Sequence, residues 1–198
     1  AYWDHVYGLL TYNVTDQYKK NAINKVIFSR EGDPLFTKLS MYGFTLAVIY
    51  EDPGEPRRVI FLNEGFDLLG ASEDDYGTTE EEATGYIRFS GPSIDISNVK
   101  SADLITFVAS GAAQEPGVEG EGNLIVNGKQ IGHNVWDYGG STGKYTGEDG
   151  TAQVAVDIRD IREFLVSNNN EVGVQSTAGF TPCMAPIQTF LVLTMKGG

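Results

Sequence analysis

Ser141 lies in a motif that can present a catalytic nucleophile. Residues 139–143 read Gly-Gly-Ser-Thr-Gly and match the Gly-x-Ser-x-Gly pattern of a nucleophile elbow. An elbow needs a helix directly after the serine, because a strained strand-to-helix turn is what exposes the hydroxyl. The residues that follow, Lys-Tyr-Thr-Gly-Glu-Asp-Gly, do not make such a helix. The pattern therefore indicates a glycine-rich loop, with a serine nucleophile as the minor alternative.

The two histidines are far apart in the sequence. Neither His5 nor His133 has neighbours at metal-ligand spacing, so a histidine-based zinc site or catalytic triad has little support. A carboxylate pair flanking a glycosidic bond stays open as an alternative, but in so acidic a chain such a pairing is uninformative. We therefore predict that the chain is not an enzyme and has no catalytic or cofactor-binding residues.

Acidic side chains are concentrated in two runs, Glu73-Asp74-Asp75 and Glu80-Glu81-Glu82. Their hard oxygen ligands suit calcium. Neither run has the interleaved Asp-x-Asp-x-Asp-Gly pattern of a calcium loop, and this favours a solvated charged surface. We predict no cofactor and no metal site, with calcium as a weak alternative.

Two single residues offer covalent chemistry. Cys183 is the only cysteine, which excludes an intrachain disulfide. A buried small side chain is the favoured interpretation of Cys183, and an intermolecular disulfide in an extracellular polymer and a reactive thiol are the alternatives. Asn13-Val14-Thr15 is an N-glycosylation sequon, usable only outside the cytoplasm, and Asn13 is therefore a candidate glycosylation site.

Aromatic side chains could stack sugars on the protein surface. Trp3, Trp136, Tyr138 and Tyr145 are the candidates for such a platform. Packing in the core of a sandwich explains Trp3 and Trp136 equally well. Both interpretations stay open at this point.

Charge and hydropathy restrict the partners of the chain. The 198 residues include 27 acidic and 14 basic side chains, for a net charge of −13, which repels nucleic acid and anionic lipid. The longest apolar run, residues 46–50, is far shorter than the ~20 residues of a membrane span. The chain opens on Ala1 without a visible leader, so we expect a mature extracellular chain after signal-peptide removal, although an excised fragment would look the same.

The elements that must position these residues are strands. Residues 46–50 and 59–62 are short, β-branched and aromatic runs that end at turn residues, and this predicts buried strands. Pro53, Gly54 and Pro56 predict a turn or crossover between them. The candidate edge-strand residues for assembly are Thr45, Leu46, Val48, Tyr50, Val59 and Phe61.

Residues 43–69 also carry a recognisable pattern. Its members are Gly43, Leu46, Val48, Tyr50, Glu51, Asp52, Pro53, Pro56, Arg57, Glu64, Gly65, Asp67, Leu68 and Leu69. The pattern resembles an uncharacterised domain family found in secreted and surface-layer proteins of methanogenic archaea. The resemblance continues through residues 81–84, 123–128 and 190–194 and so covers most of the chain. It implies a cell-surface location and an architecture, and no enzymatic activity is attached to the family.

Two segments of the chain share a similar order of elements. Asn13 and Asp157 are 144 positions apart, and so are Thr45 and Thr189. We therefore predict an all-β fold of two jelly-roll-like β-sandwich lobes with short helical turns. The first lobe spans 1–70, an acidic connection spans 71–85, and the second lobe spans 86–198. Residues 84–132 add strands only before the second copy, so the first lobe is expected to be short of strands.

A first lobe that is short of strands would have unpaired strand edges, and such edges indicate a function in assembly. An unpaired edge presents backbone N–H and C=O groups without hydrogen-bond partners, and a strand of another chain can pair with them. We predict an extracellular structural protein, a self-assembling subunit of a cell-surface sheath, S-layer or filament. A carbohydrate-binding or adhesive surface module is the alternative. The expected partners are further copies of the chain in a homo-oligomer or polymer, and surface glycans; no nucleic acid and no membrane span are expected.

Overall fold

The computed structural model describes residues 8–29, 32, 42–75, 77–109, 121–136, 154–177 and 184–197. The chain divides into two compact units, 1–41 and 42–198. The described part of the first unit has turns but no helix or strand, although the first lobe, 1–70, was predicted to be built from strands. Local bonds explain the difference. The Asn24 side chain accepts the Lys19 N–H at 2.8 Å and donates to the Lys19 carbonyl at 2.9 Å. Such side-chain hydrogen bonds compete with the backbone hydrogen bonds of a sheet.

The second unit is built from antiparallel strands in two sheets. The strands are β1 (Arg58–Glu64), β2 (Thr84–Phe89), β3 (Val99–Ala109), β4 (Asn123–Val126), β5 (Lys129–Gly132), β6 (Val154–Asp160), β7 (Asn170–Gln175) and β8 (Ala185–Met195). The first sheet has the order β1-β8-β3-β6, and the second sheet has the order β2-β7-β4-β5. Short 3-10 turns, Ile96–Asn98 and Arg162–Phe164, join some of the strands. An all-β fold with short helical turns is thus confirmed.

The turn between β4 and β5 has the geometry that its sequence predicts. Asn127 has a φ of 50° and Gly128 a φ of 78°, the two left-handed residues of a tight hairpin. Asn127 also donates from Nδ2 to the Phe164 carbonyl at 2.7 Å. The hairpin is therefore fixed both by its own backbone and by the neighbouring 3-10 turn.

The core lies between the two sheets, which confirms the predicted β-sandwich. Alternate residues of β3 face inward, and Leu104 and Val108 are fully buried there in one core cluster with Leu124 and Val174 of the second sheet. Burial of each such leucine contributes about 1.5–3 kcal/mol. Trp136 is also fully buried, and its Nε1 donates to Thr106 Oγ1 at 3.0 Å. The indole thus fills the core and satisfies its one donor.

The segment at residues 45–50 differs from its prediction. It was expected to be a buried strand, but it is not a strand, and its side chains are exposed. Its proposed repeat partner, β8, is a central strand. A short β-prone segment becomes a strand only when it has a ladder partner, which propensity alone does not supply. The two segments that the proposed repeat aligns, at residues 45 and 189, therefore differ in secondary structure, because only the second is a strand.

The strand β1 joins regions that were assigned to different lobes. β1 falls within the predicted first lobe, 1–70, yet it pairs with β8 along its whole length, from Arg58 opposite Thr194 to Glu64 opposite Gln188. Residues 1–70 and 86–198 therefore contribute to one sheet.

The acidic segment at residues 71–85 is tied to the sandwich at both ends. Ala71 donates its N–H to Ser176 Oγ at 3.2 Å, and Ser176 donates its own N–H to the Ala83 carbonyl at 3.0 Å. Glu73, Asp74 and Asp75 between these anchors are exposed. The described residues contain no helix that is long and apolar enough to cross a membrane.

Candidate interaction surfaces

The outer face of the first sheet carries apolar side chains across all of its strands. Leu62 of β1 is opposite Phe190 of β8, Phe190 is opposite Ile105 of β3, and Ile105 is opposite Ile158 of β6. Ile60, Phe107, Val156 and Val192 flank this row on the same face. We call these eight residues the apolar belt.

The apolar belt is open to solvent at its ends. Ile158 is 53% exposed, Leu62 is 44% exposed and Ile60 is 38% exposed, whereas Phe190 at the centre is buried. The Phe190 ring packs edge-on against Phe107, with ring centroids 6.1 Å apart. An exposed apolar belt of this kind is typical of an interaction site.

Residues 45–49 lie beside the apolar belt. Together with Ile60, Phe107, Phe190 and other belt residues they line a cavity of about 230 Å³. The segment leaves much of its own apolar surface open, since Leu46 is 47% exposed and Val48 is 42% exposed. Leu46 and Val48, two of the predicted assembly residues, therefore adjoin the belt without forming a strand.

Thr45 and Tyr50 belong to the same segment, which is not a strand, whereas Val59 and Phe61 lie on an edge strand. β1 is at the end of the first sheet, with a described strand on one side only. Val59 and Phe61 point inward, and Phe61 packs edge-on against Phe89 at 6.2 Å between ring centroids. Ile60 and Leu62 point outward and were missed as candidates. The signal was present in the sequence, because Val59–Leu62 is apolar at every position, as in strands that are covered on both faces.

The outer face of the second sheet is polar and hydrogen-bonded across its strands. Gln175 Nε2 donates to Thr84 Oγ1 at 3.0 Å, and Asn123 Nδ2 donates to Gln175 Oε1 at 2.8 Å. His133 Nδ1 lies 2.7 Å from Asn123 Oδ1. We call these four residues the polar row. His133 is thus held by a side-chain amide.

One aromatic ring stands beside the polar row. Tyr86 of β2 is opposite Gly173 of β7, and Gly173 is opposite Ile125 of β4. A Cβ at position 173 would be 3.3 Å from Tyr86 Cε1 and 3.2 Å from the Ile125 Cβ. The glycine thus lets the ring lie over β7, and Tyr86 is still 54% exposed.

An ion pair borders the ring on its other side. Arg88 Nε donates to Glu171 Oε2 at 2.7 Å, and this contact raises the pKa of the guanidinium. The Arg88 side chain is 77% exposed, so most of its donors face solvent.

The acidic runs lie on the surface of the described part of the chain, where Glu73, Asp74, Asp75, Glu81 and Glu82 are exposed. The described residues contain no group of three or more His, Cys, Asp or Glu side chains that could hold a metal ion. Glu82 instead caps a turn, because its Oε2 accepts bonds from the N–H and the hydroxyl of Thr79 at 3.0 and 3.1 Å. These bonds lower the pKa of Glu82, the backbone bond most. The absence of a cofactor or calcium stays a prediction.

A second cavity, of about 550 Å³, is lined by charged residues around Asp160 and Arg162. Their polar atoms bond the fold itself. Asp160 Oδ1 accepts the N–H groups of Ala102 and Arg162 at 3.1 and 2.9 Å, and Arg162 Nε donates to the Val99 carbonyl at 2.9 Å. This cavity is thus a structural junction.

The remaining candidates of the sequence have mixed outcomes. Asn13 is exposed, and its Oδ1 accepts bonds from the N–H and hydroxyl of Thr15 at 3.0 and 2.7 Å. Trp136 is fully buried and is not part of a surface platform. The other candidates lie outside the described residues: Trp3, His5, Tyr138, Ser141, Tyr145 and Cys183.

The fold and its two outer faces define an antiparallel β-sandwich protein with surfaces suited to interaction. The sequence model of DUF3344, described as a protein of unknown function, matches residues 1–194. The chain belongs to this family. The predicted resemblance to a domain family of unknown function is thus confirmed.

Solved structures and curated proteins add little to this assignment. The chain is 12% identical to dimeric latent PorU from Porphyromonas gingivalis, with a TM-score of 0.43. This match covers 70% of the present chain but only 13% of PorU. It is 17% identical to a family 35 carbohydrate binding module from Clostridium thermocellum, with a TM-score of 0.34, over 68% of this chain and 97% of the module. No curated protein matches.

Proposed function

We propose that this protein is a structural subunit that assembles outside the cell, in a sheath, S-layer or filament, and that it has no catalytic activity. The observation that carries the proposal is the apolar belt, which continues onto the edge strand β1. An open edge offers backbone hydrogen bonds, and the belt beside it offers apolar contact. Both features serve the same kind of partner, an extended apolar segment.

The segment at residues 45–50 of a second copy is the occupant that fits best. It is rich in β-branched and aromatic residues, lies outside any strand and is exposed, with Ile49 at 62% and Tyr50 at 71%. Added to the edge of β1 that has no described partner strand, its backbone would complete a ladder while its side chains extended the apolar belt. Burial of each half-exposed belt residue would contribute roughly 1 kcal/mol.

Such a contact joins different surfaces of the two copies. The donor is the 45–50 segment and the acceptor is β1 with the belt, so the contact is head-to-tail and propagates into rings or filaments. The net charge of −13 fits a wetted outer surface. The extracellular, archaeal cell-surface setting is an inference from the resemblance to surface-layer proteins.

Mixing of two variants tests this assembly. Val48→Pro removes a backbone donor from the segment and leaves β1 and all eight belt residues unchanged, and Leu62→Asp puts a charge in the acceptor and leaves the segment unchanged. By sedimentation velocity, we expect the unmodified chain to form concentration-dependent oligomers and each variant alone to be monomeric. An equimolar mixture should form dimers and stop there.

Val26→Pro is the matched control, because Val26 is also outside a strand and is 51% exposed. This variant should assemble as the unmodified chain does. Circular dichroism of each variant confirms that the sandwich is folded. Discrete monomers of the unmodified chain at every concentration would contradict the proposal, and so would a mixture that fails to form dimers.

A further inference from the structure

We propose that the outer face of the second sheet binds a neutral glycan, with Tyr86 as the stacking ring and the polar row as the source of hydrogen bonds. This inference does not depend on assembly, since the site and the apolar belt are on different sheets. The residues that carry the site are Thr84, Tyr86, Arg88, Gly173 and Gln175, and the buried Asn123 holds Gln175 in place.

The ring of Tyr86 has the exposure and support that stacking requires. It lies over the backbone of β7 at Gly173, with Ile125 on the far side, and 54% of the residue is open to solvent. A pyranose presents C–H groups on a face of its ring and hydroxyls around its rim. The C–H face packs on an exposed aromatic ring, which buries apolar surface at a low cost in side-chain entropy.

The polar row lies within reach of a stacked sugar. Residues on one face of a strand are two positions apart, or about 7 Å, which is close to the width of one sugar ring. Thr84 is therefore one sugar width from Tyr86 along β2, and Gln175 is one sugar width from Gly173 along β7. A hexose on Tyr86 would place its rim hydroxyls beside these side chains.

The polar row is also oriented before any ligand arrives. Gln175 donates to Thr84 and accepts from Asn123, so its carbonyl and amide ends are fixed. Each amide nitrogen has two donors, which leaves a second N–H on Gln175 beyond the bond to Thr84. A fixed array of this kind binds hydroxyls without the entropy cost of ordering the side chains.

The charges around the site favour a neutral ligand. Arg88 is paired with Glu171 at 2.7 Å, so the local cation is compensated by a carboxylate. The whole chain carries a net charge of −13, which repels anionic glycans. Arg88 still offers exposed guanidinium donors to hydroxyl groups on that side of the ring.

Titration calorimetry with soluble neutral polysaccharides of glucose, mannose and galactose tests the site, with anionic alginate as the charged comparison. We expect at least one neutral polymer to bind and alginate not to bind. Tyr86→Ala should raise the dissociation constant by roughly tenfold or more, and Tyr86→Phe should change it by less than about threefold. Gln175→Ala should weaken binding by roughly fivefold, through the loss of one oriented amide.

Gly173→Ala provides a positioning test. The added Cβ would crowd the Tyr86 ring, so we expect weaker binding while the Tyr86 side chain is still present. Tyr12→Ala is the matched control, because Tyr12 is a more exposed tyrosine, at 68%, that belongs to neither sheet, and glycan binding should be unchanged. Failure of all neutral polymers to bind, or equal binding by Tyr86→Ala, overturns the proposal. Either result leaves the assembly experiment unaffected, because that experiment contains no glycan.

Discussion

Arg159 and Asp157, two residues apart on β6, form a bidentate ion pair. Arg159 Nε and Nη2 donate to the two carboxylate oxygens of Asp157, each at 2.6 Å. Arg159 Nη1 donates to the Ile131 carbonyl on β5 at 3.1 Å. Since β6 and β5 are the end strands of different sheets, the pair ties the two sheets together at that margin of the sandwich.

The first prediction concerns this tie. Asp157→Ala leaves a partly buried guanidinium without its carboxylate, and we expect a loss of about 2 kcal/mol in the free energy of unfolding. Arg159→Lys keeps the charge but loses the planar fork, so we expect a smaller loss of about 1 kcal/mol. Urea denaturation measures both values. Equal stability of Asp157→Ala and the unmodified chain would show that the pair does not couple the sheets.

The second prediction concerns the buried indole. Thr106→Val removes the hydroxyl that accepts the Trp136 N–H and keeps nearly the same side-chain volume. The indole donor is then buried without a partner, and we expect a loss of about 1–3 kcal/mol in unfolding free energy, measured by urea denaturation. Thr194→Val, on another β strand of the same sheet, is the control for the change of residue type. Loss of the same size in both variants would argue against a special role of the indole bond.

The third prediction concerns the hairpin between β4 and β5. Gly128 has a φ of 78° and has open space where a Cβ would be, so Gly128→Ala introduces backbone strain without a clash. We expect a loss of about 1 kcal/mol, seen as a lower midpoint of thermal unfolding. Gly77→Ala, at a φ of 66° in open space, should show a similar backbone cost. A stabilised Gly128→Ala variant would contradict the left-handed turn geometry.

The fourth prediction concerns pH. The pKa of Glu82 is lowered by the backbone bond and then by the side-chain bond from Thr79. A lowered folded-state pKa means that the cap stabilises the protein above the usual glutamate value of 4.5 and that this contribution fades as the pH falls through the lowered value. Glu82→Gln should therefore be less stable than the unmodified chain near neutral pH, and the difference should shrink in acid.

Thermal unfolding across that pH range measures the effect of Glu82. Glu81→Gln, a change of the neighbouring exposed carboxylate, is the control and should not follow the same profile. A difference between Glu82→Gln and the unmodified chain that grows as the pH falls would have the wrong sign for this cap.

The sequence predicted local elements better than it predicted their partners. Residues 59–62 were predicted as a strand and lie within β1, because their β-branched run and the turn residues around it are local signals. The pairing of β1 with β8 was not predicted, because strands more than a hundred residues apart leave no mark of their register on either segment. Residues 45–50 have strand propensity but do not pair with another strand. Propensity alone does not distinguish such a segment from one that pairs, such as β1.

The candidate surfaces were predicted less well for a related reason. The polar row combines Thr84, Asn123, His133 and Gln175, which are scattered along the sequence and have ordinary neighbours. Only the strand register brings them together. From the sequence, tryptophans were named as candidates for a sugar-stacking platform instead, and one of them, Trp136, is buried in the core. Tyr86 could have been noticed as an aromatic residue in a strand whose alternate positions are Thr84 and Arg88.

The place of β8 in the first sheet determines when that sheet can exist during synthesis. β8 lies between β1 and β3, yet it is the last described strand along the chain. During synthesis, β1 is made long before β8, the strand it pairs with. The first sheet lacks this central strand until residue 195 has been added. Contacts this distant in sequence fold slowly. The first sheet is therefore completed late in synthesis, and the apolar belt across its outer face cannot form before β8 is in place.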